Sequence, residues 1–176
     1  MTETERGDYP PAIGELLRKL PRMPLGPGEP DRSVKGQLEA LNEAAFAPCR
    51  VVDRDMVAAC RAGLWLAFGY LDESHTISQD LHTPEGSAWH AVMHRREPDA
   101  WNSKYWWRRV GSHPVLEQLR KRSPEVGYRY TSPEDFVDFC ERVRGTGSTD
   151  EEVAVRVQQL EWDLLFAWSF ERATGK

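Results

Sequence analysis

The sequence predicts an all-α fold, and three observations carry that expectation. Apolar residues recur three and four apart along much of the chain, as in Val57, Cys60, Leu64 and Ala67, and again in Val153, Val157, Leu160 and Leu164. Ser, Thr or Asp stands ahead of several of these runs, twice directly before a proline, which is the chemistry of a helix start. Strand-like residues gather only in EVGYRYT, residues 125–131, too short to build a sheet alone. The expected architecture is a single-domain bundle of about six to seven helices over residues 33–176, preceded by an extended proline-rich arm over residues 1–32.

The arm is read from Pro10, Pro11, Pro21, Pro24, Pro27 and Pro30. Only AIGELLRKL can make a short helix there. LPRMPLGPGEP must run extended or turn, because proline blocks helix and biases the residue before it. Ser33 can cap a helix over 34–47, ended by Pro48. Asp53 caps the clearest core helix, with Val57, Cys60, Leu64, Ala67 and Leu71 on one stripe, closing at Asp72, Glu73 and His75. SHTISQDLHTPEG then reads as a polar connection carrying His75 and His82.

Thr83 before Pro84 starts a helix that should reach Arg96, since Pro98 disfavours helix at Glu97. Asp99 can start the next, stopped by Gly111, and Pro114 opens a third over VLEQLRKR. Ser132 and Pro133 precede a helix with Phe136, Val137, Phe139, Cys140 and Val143 on its buried side. Ser148 with Glu151, or Thr149 with Glu152, matches a capping box ahead of a final helix to about Arg172.

Composition narrows the function classes. The 176 residues are 40% apolar and 29% charged, without an apolar run near the ~20 residues of a membrane helix. The acidic, polar start lacks a secretion signal, so the expected location is the cytoplasm. Three widely spaced cysteines suggest neither a disulfide framework nor a thiolate metal site. The net charge of -5 argues against general nucleic-acid binding. That average hides an inversion: from His94 to Arg122, eight Lys and Arg face three acids.

Chemistry concentrates between Trp89 and Pro114, which hold three of the five histidines and four of the seven tryptophans. On a helix, His90 and His94 fall four apart on one face, a spacing that can present two imidazoles to one divalent metal. His75, or an acid from the preceding segment, could complete that metal set. The same region supports a pocket for a small anionic ligand bearing phosphate or carboxylate, with His75, Arg95, Arg96, Asn102, Tyr105 and Arg109 as its binding residues. Arginine forks suit such groups, and Trp101, Tyr105, Trp106 and Trp107 supply flat apolar faces.

His90, His94, Glu97 and Asp99 are the candidates for acid–base catalysis there. The residues leave open whether the pocket catalyses or only binds. A third reading is a non-catalytic interaction module whose tryptophan-rich face makes a homodimer or holds a partner. An Arg95–Asp99 salt bridge joining two helices is the plain structural alternative for that pair. Phosphate loops, dinucleotide fingerprints and hydrolase elbows are absent.

Over residues 64 to 119, LDESHTISQDLHTPEGSAWHAVMHRREPD and NSKYWWRRVGSHP resemble a set of hypothetical bacterial proteins. These share an HRREPD or HRREGD core followed by N, Y and W positions. The resemblance implies a bacterial, soluble protein and carries no activity or catalytic residue with it.

Overall fold

Side-chain caps set where the helices begin. Asp53, Thr83, Asp99, His113, Ser132 and Ser148 each accept a hydrogen bond from a backbone N–H of the helix that follows. The computed structural model describes residues 9–176. The first eight residues of the arm, from which the missing secretion signal is read, lie outside it. Among the described residues there are nine α-helices and no strand, so the expected all-α class holds and the expected count of six to seven is too low. They are α1 (Pro11–Arg18), α2 (Lys35–Glu39), α3 (Arg54–Ala67), α4 (Leu71–Gln79), α5 (Pro84–Arg96), α6 (Ala100–Val110), α7 (Pro114–Arg122), α8 (Pro133–Val143) and α9 (Thr149–Thr174). None of the helices is long and apolar enough to cross a membrane.

Relative to the sequence reading, α4 is an added helix and α2 a shortened one. The run from Asp53 to Leu71 is broken at Gly69, whose φ is +82° and whose missing side chain leaves room for the Glu29 backbone; a Cβ there would lie 2.6 Å from the Glu29 carbonyl oxygen. Only glycine meets both demands without strain. The chain therefore turns, and the polar segment with His75 becomes the helix α4. Residues 34–47 form the short α2 between two 3₁₀ turns, Arg32–Val34 and Glu43–Phe46, in place of one continuous helix. EVGYRYT forms no strand; Tyr130 instead points inward, 3% exposed.

The arm is built into the core. Ile13, Leu16 and Leu17 of α1 and Met23 and Leu25 beyond it are buried in the same apolar cluster as the later helices. Extended proline-rich backbone has carbonyls without helical or sheet partners, and these need donors once covered. Arginine and glutamine side chains supply them. Arg96 donates to the carbonyls of Gly26 at 3.2 Å and Pro27 at 2.9 Å, Arg144 to Leu25 at 3.2 Å, and Gln158 to Met23 and Pro24 at 3.3 and 3.1 Å.

α5 is the central helix, buried on all sides from Glu85 to Arg96. Its Trp89 lies over Gly63 of α3, so close that a Cβ at Gly63 would meet the indole at 2.6 Å. Trp162 of α9 donates to the Gly63 carbonyl at 2.8 Å, which locks α3, α5 and α9 together. On its other side α5 folds back into α6 through a short turn, where Asp99 N–H donates to the His94 carbonyl at 2.9 Å. Ser103 of α6 donates to the Ala91 carbonyl at 2.7 Å and holds the hairpin shut.

Candidate metal centre

Three histidines meet where α4 and α5 pack. His90 and His94 stand one turn apart on α5, and His75 faces them from α4. Ring centroids are 4.6 Å apart for His75 and His90, 4.7 Å for His90 and His94, and 5.6 Å for His75 and His94. One nitrogen from each ring can be chosen so that all three lie within 4.8 Å of one another. His90 and His94 are buried and His75 half-buried.

Hydrogen-bonding groups hold two of the rings. Ser78 Oγ lies 3.3 Å from the His75 carbonyl and 3.2 Å from His90 Nδ1. Glu97 Oε2 lies 3.1 Å from His94 Nδ1. With Nδ1 of each ring engaged in this way, Nε2 is the nitrogen left to take a metal ion.

Burial, together with the nearby His94 and His75, pushes the His90 imidazole down to about 3. His94 is also lowered by burial, against the opposing pull of Glu97 and Asp99. Both rings are therefore neutral near pH 7, the form that binds metal.

α6 closes one flank. Trp106 packs on His90 with centroids 4.1 Å apart, and the Arg109 guanidinium lies 5.2 Å from the Trp106 ring. Asn102 is held at the turn by Asp99, to which it donates from Nδ2 at 2.6 Å and from its backbone N–H at 3.1 Å. Those bonds keep the Asp99 carboxyl below its ordinary range. Asp99 is thus committed to capping α6.

The other expected site residues divide sharply. Arg95 and Arg96 do not reach the histidines, because α5 points them the opposite way. Arg95 is fully buried against Glu161 and Gln158 of α9, its guanidinium 4.7 Å from the Phe136 ring, and its partner is Glu161, not Asp99. Arg96 spends its donors on the carbonyls of Leu66, Gly26 and Pro27. Both arginines hold the fold together. Tyr105 and Arg109 lie exposed on α6, and His82 is exposed and apart from the cluster.

His113 is also structural: its Nδ1 accepts from Val115 N–H at 3.2 Å and its Nε2 donates to Glu85 at 3.3 Å. Cys60 and Cys140 are buried free thiols of the core. Ser78 went unnoticed in the sequence; the signal was available only once residues 71–79 were read as a helix, where a polar residue three after His75 falls near the same face.

No protein-family model, curated protein or solved structure matches this chain.

Proposed function

We propose that the protein is a metal-binding helical protein whose centre is formed by His75, His90 and His94, taking a divalent first-row ion with one coordination position left for water or a small anion. The convergence of three imidazoles, one nitrogen of each within 4.8 Å of the others, is the observation that carries this reading. Three neutral imidazoles gathered on one spot are a donor set suited to a divalent cation. Four ligands at ~2.0–2.1 Å around zinc stand about 3.3 Å apart, so nitrogens within 4.8 Å of one another need only side-chain rotation to close. Ser78 and Glu97 have the positions of outer partners that orient ligating histidines.

Three neutral ligands with an open fourth position are the set that keeps an ion Lewis-acidic. Such an ion lowers the pKa of bound water to about 7 and can hold an anion. A direct measurement is elemental analysis of untagged protein after exposure to Zn, Ni, Mn and Fe. About one ion per chain is expected, lost in His94→Ala and His90→Ala. Absence of stoichiometric metal with every ion offered overturns the reading.

A further inference from the structure

Among the described residues, three large apolar side chains are markedly exposed: Val52, Trp101 and Tyr105. Two of the three are neighbours. Trp101 is 72% exposed and Tyr105 39%, their rings 9° from parallel with centroids 6.1 Å apart. Arg109 follows on the same stripe of α6, since 101, 105 and 109 are spaced by four. Its guanidinium lies 5.9 Å from the Tyr105 ring and 5.2 Å from Trp106, and its hydrogen bond to the Tyr105 hydroxyl is long at 3.4 Å. No carboxylate among the described residues pairs with Arg109, whereas Lys104 on the same helix is held by Asp138.

We infer that the stripe Trp101–Tyr105–Arg109 is a binding platform for a small ring-bearing anion, an aromatic carboxylate or a nucleoside monophosphate. The two exposed rings offer stacking to a flat group, and the arginine fork pairs with an acidic group beside it. Arg108 and Arg109 stand next to each other on α6, both exposed, and their positive charge selects an anion. A second copy of the chain fits less well. Two aromatics at these exposures offer roughly 250 Å² of apolar surface, against the ~800 Å² per partner of a stable interface.

This site goes beyond the metal centre and does not depend on it, although Trp106 puts the two side by side by contacting both His90 and Arg109.

Calorimetry and tryptophan fluorescence with adenosine monophosphate and benzoate test it, with inorganic phosphate, acetate and uncharged adenosine as controls. At least one ring-bearing anion is expected to saturate, with its ring-free or uncharged counterpart about tenfold weaker or worse. Trp101→Ala and Arg109→Ala should each weaken binding about tenfold or more with the melting temperature unchanged, because both side chains are exposed. Binding should survive EDTA and His94→Ala, so failure of the metal reading leaves the test intact. The inference is overturned if neither anion saturates at millimolar concentration, if both variants bind like the unsubstituted protein, if EDTA abolishes binding, or if light scattering shows a dimer that Trp101→Ala dissociates.

Discussion

Removing the Glu97 carboxylate tests the metal centre without touching a ligand. Its Oε2 lies 3.1 Å from His94 Nδ1, the position of an outer partner that orients a ligating ring. In Glu97→Ala the ring loses this partner and is free to rotate. Loss of such an outer partner costs about 10- to 100-fold in metal affinity, or about 1.4–2.7 kcal/mol.

Glu97 has a side chain 36% exposed, so water replaces part of what is lost and the lower end, about tenfold, is expected. Glu97→Gln retains an oxygen that can accept from Nδ1 and should lose less. His94→Ala, which deletes a ligand, should lose more. Competition against a chromophoric zinc chelator reads the affinities, and melting of the metal-free variants shows whether folding has changed. Wild-type affinity in Glu97→Ala would refute the reasoning, as would a loss equalled in His94→Ala by Glu97→Gln.

The remaining predictions concern stability. Arg95→Met leaves Glu161, 1% exposed, as an unpaired buried charge; about 3–5 kcal/mol should be lost, a fall in melting temperature of about 6–20 °C for a chain of this size. A double variant that also replaces Glu161 with Gln should recover much of it, read by the same melts. Glu85 is pushed up by burial, but hydrogen bonds from His113 and Trp168 prevail and bring it down to about 2. Its folded value lies below its ordinary 4.5, so its contribution is present above pH 4.5 and lost as pH falls toward 2; Glu85→Gln should flatten melting temperature against pH in that window. His90, lowered from 6.5 to about 3, likewise favours the fold at neutral pH, and metal-free protein should lose that contribution as pH falls from about 6.5 to 3. His90→Gln should remove the slope in the upper part of that range.

Much of the helix map was legible because caps and breakers act within a few residues. Thr83 and Pro84, Asp99, Ser132 and Pro133, and Ser148 mark starts that the structure reproduces. The break at Gly69 was not legible, since Trp65, Phe68 and Leu71 continue the apolar pattern across it. What demands a turn there is the Glu29 backbone, forty residues away in the chain. Arg95 and Arg96 looked like ligand donors because arginine beside histidine and tryptophan has the composition of a pocket. Their real partners, Glu161 and the arm's carbonyls, lie far off in sequence. A carboxylate at 161 between Leu160 and Trp162 in the final apolar run was the one local hint of a buried cation.

The sequence by itself determined the all-α class, most helix starts, and the placing of His90 and His94 on one face of one helix. These follow from steric and hydrogen-bonding rules that operate over one or two turns. Only the tertiary structure decided that His75 joins them, that Ser78 and Glu97 orient their rings, and that the two neighbouring arginines turn away into the core. Helix periodicity fixes directions around one axis, whereas the meeting of α4 with α5 depends on a turn at Gly69 that long-range packing imposes.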